Sequence, residues 1–105
     1  MSNYVVFTNT DTQESAKQMA KILVTEHLAA CCTINLNVTS IFSWDGAIEE
    51  SIEQQLMIKT TDVKVEALIQ RIKELNPNEV PEIIAVPIVK GNDDYFLWME
   101  AITNE

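Results

Sequence analysis

The chain opens on Tyr4, Val5, Val6 and Phe7, a short apolar run within Asn3 to Asn9 that predicts a strand buried on both faces. The period then lengthens. Ala16, Met19, Ala20, Leu23, His27 and Ala30 recur at helical spacing, with Lys17, Lys21 and Thr25 on the solvated side, so a helix is predicted up to about Ala30. Thr8 to Thr12 supplies its caps, and Asp11 and Glu14 are spaced as a capping box. From Thr33 to Ser43 the residues are rich in β-branching, and Asp45-Gly46 is the strongest hairpin signal in the chain. Ile48 to Thr61 returns as the second arm, alternating first and then entering the core at Leu56, Met57 and Ile58. Both arms exceed the usual five or six residues, so the hairpin must project beyond its own domain. Val65, Leu68, Ile69, Ile72 and Leu75 form the stripe of a second helix, capped by Thr61 or Asp62 and stopped by Asn76-Pro77. A last strand spans Glu82 to Lys90. Because Pro87 cannot donate to a ladder, this strand is expected at an edge or with a bulge. Gly91-Asn92-Asp93 then turns the chain into a short helix from Asp94 to about Thr103.

The order β-α-β-β-α-β plus a final helix reads as α+β: a ferredoxin-like sandwich with four antiparallel strands, two helices on one face, a long β2-β3 hairpin and an extra C-terminal helix. One domain, 1–105, is expected from the length. Exposed sheet edges and over-long strands need covering, and a closed ring of subunits, a homotrimer, is the expected solution.

Composition narrows the partners. Seven basic residues against sixteen acids give a net charge of −9, which argues against nucleic acid and against acidic membrane surfaces. Such a field attracts a cation or a basic protein, or simply keeps the chain soluble. No apolar run approaches a membrane span, and Met1 to Val6 carries no basic region or cleavage site, so a cytoplasmic location is expected. Cys31 and Cys32 are adjacent and the only cysteines, which suggests a reducing compartment without a structural disulfide.

Each candidate for chemistry has a structural alternative. The thiols could be soft ligands for copper or zinc, or small buried hydrophobes. Strand alternation puts them on opposite faces, so they cannot share one ion. Cys32 reads as core; Cys31 reads first as a small hydrophobe too, but stays the candidate soft ligand. His27 is the only histidine and reads as a partly exposed helix residue, and Met19, Met57 and Met99 read as core. Glu49, Glu50 and Glu53 with Glu82 form the carboxylate grouping that could hold a hard cation or serve with Lys59 in acid/base work. The alternative is a solvated face or salt bridges between subunits. Glu53 is expected to share a face with Lys59 only across a bulge. One histidine allows no Ser-His-Asp arrangement, and two glycines with the single arginine Arg71 nearly exclude phosphate cradles, so the chain is not expected to be an enzyme.

Three stretches together resemble the CutA family of divalent-cation tolerance proteins: Leu28-Ala29-Ala30-Cys31; the hairpin Thr39-Ser40-Ile41-Phe42-Ser43-Trp44-Asp45-Gly46 with Glu53 and Ile58-Lys59-Thr60; and Val80-Pro81-Glu82-Ile83-Ile84 with Pro87, Gly91, Tyr95 and Trp98. The resemblance implies the ferredoxin-like fold, a tight trimer, a cleft between subunits lined by Trp44, Glu53, Lys59, Glu82, Tyr95 and Trp98, and a link to copper or other divalent cations. It is incomplete where metal should bind. Asn76 and Asn78 stand where relatives carry His and an aromatic residue, and Thr8 stands where some carry cysteine. Three functions follow: a trimeric metal-response protein with Cys31 as soft ligand; a PII-like small-ligand sensor or protein-interaction module using the cleft; and an enzyme, which would require a shifted Glu53 or Lys59 in an enclosed site.

Overall fold

The apolar runs become strands because they can face helices on one side and pair with a neighbouring strand, the central β1 and β3 along both edges. The computed structural model describes residues 2–104; Met1 and Glu105, the ends of the expected domain, lie outside the described residues. The elements are β1 (Asn3–Thr10), α1 (Gln13–Thr25), β2 (Cys31–Trp44), β3 (Ala47–Thr61), α2 (Val65–Leu75), β4 (Ile83–Ile88) and α3 (Asp93–Thr103). The strands form one antiparallel sheet in the order β2-β3-β1-β4, which is the ferredoxin-like arrangement. Val6, Leu56 and Ile58 face Ala16, Met19 and Leu23 of α1 and Leu68 and Ile72 of α2 in a single buried cluster. Each large side chain fully buried there contributes about 1.5–3 kcal/mol. Pro87 sits on the edge strand β4, opposite Tyr4, as its missing N–H requires.

Three expected boundaries move. Thr12, not the Asp11–Glu14 pair, caps α1, its hydroxyl accepting from Ser15 N at 3.0 Å, while Asp11 Oδ1 accepts from Thr12 N. The helix ends at Thr25 rather than Ala30. His27 takes a left-handed conformation (φ 60°), and Leu28 N and His27 N donate to the carbonyls of Leu23 and Val24, closing a Schellman motif. His27 therefore lies just past the helix, its Nδ1 3.2 Å from the Ile102 carbonyl. The N-cap of α2 is Lys64, without a side-chain hydrogen bond, so neither Thr61 nor Asp62 fills that role.

The hairpin arms span 14 and 15 residues. Asp45 (φ 49°) and Gly46 (φ 80°) are both in the positive region that a two-residue primed turn demands. The β1 ladder ends where Thr10 meets Gln54, so the outer arms, from Val38 to Trp44 and from Ala47 to Glu53, pair only with each other. At the point of departure β2 carries one extra residue between Asn35 and Val38. Asn37, at φ 57°, is held there by Gln54: its N donates to Oε1 at 2.9 Å, and its Oδ1 accepts from Nε2 at 3.2 Å. Such a bulge bends and twists its strand.

Candidate functional site

Alternation along β3 divides its side chains. Gln54, Leu56, Ile58 and Thr60 are buried under the helices, while Glu53, Gln55, Met57 and Lys59 look out from the other face. Glu53 and Lys59 therefore share a face in an unbroken strand, and no bulge is needed between them; the bulge lies on β2 instead. Met57 is consequently half-buried on the open face, where Asn35 Nδ2 approaches its sulfur at 3.3 Å, whereas Met19 and Met99 are core. On that open face Cys31, Lys59, Val5 and Val86 lie in one cross-strand row, and Thr33, Met57, Phe7 and Ile84 lie in the next. Ile84 and Val86 are exposed.

The six expected cleft residues separate into two groups. Lys59, Tyr95 and Trp98 gather near Cys31. Lys59 pairs with Cys31 across the strands and donates through Nζ to Thr33 Oγ1 at 2.7 Å, and the Tyr95 and Trp98 rings lie 5.6 Å apart, tilted by 31°. Burial, and then the adjacent Cys31, push the Tyr95 phenol above its ordinary value. No carboxylate among the described residues lies within ion-pair distance of Lys59. Cys32 points the opposite way, against the core cluster, and burial pushes its thiol up to about 12. The two neighbouring thiols thus face different sides of the sheet, as alternation requires.

Trp44, Glu53 and Glu82 meet elsewhere, in a groove of about 760 Å³ between the outer hairpin and the segment leading into β4. Glu49 and Glu50 line it too, so the four carboxylates singled out by pattern share one place. Asp11 and Glu79, with Asn9 and Ser51, were not foreseen there. Asp11 carried a capping signal instead, and the others are brought in by tertiary contacts alone. No Lys, Arg or His lines the groove. Lys59 stands six residues from Glu53 along β3, about 20 Å, so a Glu53–Lys59 acid/base pair does not form within one chain.

The residues present do not fit a metal within a single chain. Among the described residues no three His, Cys, Asp or Glu side chains gather closely enough to hold an ion. At the positions where ligands were expected, neutral side chains bind one another. Asn76 Nδ2 donates to Thr8 Oγ1 at 3.2 Å and to the Asn9 carbonyl at 2.9 Å, while Asn76 Oδ1 accepts from Asn78 N at 2.9 Å. A buried, hydrogen-bonded amide and hydroxyl serve structure there. No helix among the described residues is long and apolar enough to cross a membrane.

Known proteins share this design. Residues 4–102 match the model of the family described as CutA1 divalent ion tolerance protein. A Thermus thermophilus relative named divalent-cation tolerance protein CutA is 42% identical over 99 residues, covering 94% of this chain and 96% of its own length. Mouse protein CutA is 38% identical over 97 residues, covering 92% of this chain, which spans only 55% of that longer relative. The crystal structure of CutA from Xylella fastidiosa superposes with a TM-score of 0.95 at 37% identity, covering 98% of this chain and 99% of its own. With fold, hairpin and near full-length identity in agreement, the chain belongs to the CutA1 divalent ion tolerance family.

Proposed function

We propose that this chain acts as a cytoplasmic homotrimer in the response to divalent metal ions, without catalysing a reaction. Its 42% identity, over nearly the full length, to a protein named for divalent-cation tolerance supports the role. The assembly rests on surface chemistry. Ile41, Ile48 and Ile52 on the projecting arms are 69%, 77% and 63% exposed, and Ile84 and Val86 leave the open sheet face apolar. Monomers rarely keep such large apolar surfaces in water. Both sheet edges, β2 and β4, also offer backbone for pairing with another chain.

Within this reading Cys31 is the soft ligand for copper: it is half-buried, on the open face, beside Lys59 and Tyr95. One chain brings no second and third ligand to it, so a complete site would draw on more than one copy. Native mass spectrometry of metal-stripped protein, before and after Cu(I) or Zn(II) under reducing conditions, tests both parts. The expected result is a trimer that takes up copper and loses this uptake in Cys31→Ser. Uptake retained in Cys31→Ser removes the ligand assignment, and a monomer removes the assembly. The second reading, a small-ligand sensor or protein-interaction module, is favoured by the groove beneath Trp44, which is of the size that holds a small molecule.

A further inference from the structure

The two ends of the β2–β3 hairpin demand different registers. At the base, Cys32 lies opposite Ile58 and Ile34 opposite Leu56, and the core fixes that pairing because Leu56 and Ile58 are fully buried. At the tip, the turn at Asp45-Gly46 sets Trp44 opposite Ala47. The base register, continued without a break, would instead set Ser43 opposite Ala47 and leave Trp44, Asp45 and Gly46 together in the loop. The bulge reconciles the two, with Leu36 and Asn37 both facing the single residue Gln54. That extra residue decides which side chains share a face, since paired residues point to the same side of the ribbon. Beyond it, Ser40, Phe42 and Trp44 stand with Glu49, Ser51 and Glu53 and so continue the open face of the sheet. Thr39, Ile41 and Ser43 stand with Ile48, Glu50 and Ile52 on the other side. In the unbroken register Phe42 would change sides to join Ile48, and Ile41 would join Glu49.

Gln54 holds the bulge in place. It is 3% exposed and lies opposite Thr10, the last pair of the β1 ladder, so its backbone is anchored in the body of the sheet. Both ends of its amide are committed to Asn37: Oε1 accepts from Asn37 N at 2.9 Å, and Nε2 donates to Asn37 Oδ1 at 3.2 Å. A slip of β2 would strip this buried amide of both partners, which is costly. We propose that Gln54 is the positioning residue of the outer hairpin. Its two bonds to Asn37 lock the register that puts Phe42 and Trp44 on the open face and gathers Ile41, Ile48 and Ile52 on the other, and a second copy of the chain recognises that sorting. The recognition rests on the trimer proposed above; the lock itself does not.

The test joins cross-strand proton contacts in NMR, which read the register, to sedimentation velocity, which reads the assembly, both on the full chain. In Gln54→Leu the wild-type contacts between Phe42 and Glu49 are expected to give way to contacts between Phe42 and Ile48. Contacts between Cys32 and Ile58 should persist and report a folded body. At a concentration where the wild type is a trimer, this variant is expected to sediment as a monomer. Asn37→Gly keeps the positive φ and the N–H bond to Oε1, and is expected to keep both register and assembly. Deletion of Asn37 in the Gln54→Leu background leaves Leu36 alone opposite position 54 and returns Trp44 to Ala47, so the trimer is expected to return. Unchanged Phe42–Glu49 contacts in Gln54→Leu would overturn the lock. A shifted register in an intact trimer would overturn the recognition. A deletion that fails to restore the trimer would assign the loss to packing at Gln54 and overturn it equally. A monomeric wild type would remove the trimer, and the recognition with it, while the NMR contacts would decide the lock independently.

Discussion

Cys31 and Cys32 differ by one position and by everything that surrounds them. Cys32 lies against the core, and burial holds its thiol protonated up to about 12, whereas an unfolded chain ionises its thiols near the ordinary value of about 8.5. The sign follows from linkage. A folded state that keeps its proton longer is fully stabilised below the unfolded value and loses that stabilisation as pH rises towards the folded one. Between pH 8.5 and 10.5 the wild type should lose on the order of 2 kcal/mol from this group. Cys32→Ala should lack that component, as urea unfolding of both proteins at the two pH values would reveal. Parallel losses in the two proteins would place the alkaline sensitivity elsewhere. Asn76 shows the complementary limit of reading residues one at a time. Its departure from a ligand type is visible in the chain, but its bonds to Thr8 and Asn9 span 68 and 67 positions and exist only once the sheet and the α2–β4 segment have met.

At the scale of elements, period and turn chemistry were legible where the competing signals agreed. The strands, the helical stripes and the Asp45-Gly46 turn all followed from spacing. The end of α1 did not, because Leu28, Ala29 and Ala30 continue an apolar helical pattern past the true stop. That stop is the left-handed backbone at His27, a residue type that does not announce it. The bulge at Asn37 was invisible for the same reason: it is defined by the side chain of Gln54 on the opposite strand. The candidate site was half legible. Acidic spacing placed Glu49, Glu50, Glu53 and Glu82 together, but their separation from Lys59 follows from strand rise and had been obscured by expecting a bulge in the wrong strand. Gly46 offers a direct test of the turn. Its surroundings are empty, so a methyl group would meet nothing, and Gly46→Ala should cost about 1–2 kcal/mol from its positive φ alone. A shift of the urea midpoint at unchanged slope would measure it; no shift would mean that the tip readily adopts another turn.

At the scale of the whole molecule, α1 and α2 cover one side of the sheet while Phe7, Met57, Ile84 and Val86 lie on the other. If that side is where subunits meet, a single buried charge should be intolerable there. Val86→Glu is expected to convert the proposed trimer to a monomer in sedimentation velocity while circular dichroism retains the native helix and sheet content. A trimer that survives Val86→Glu would move the contact to the strand edges and the arms. The arms themselves, from Val38 to Trp44 and from Ala47 to Glu53, have no third strand behind them. A lone two-stranded ribbon is at best marginally stable in water. Each newly made chain would then carry a finished body and an unfinished limb, completed only on meeting its neighbours. The cell's stock of this protein would set how much of it is whole.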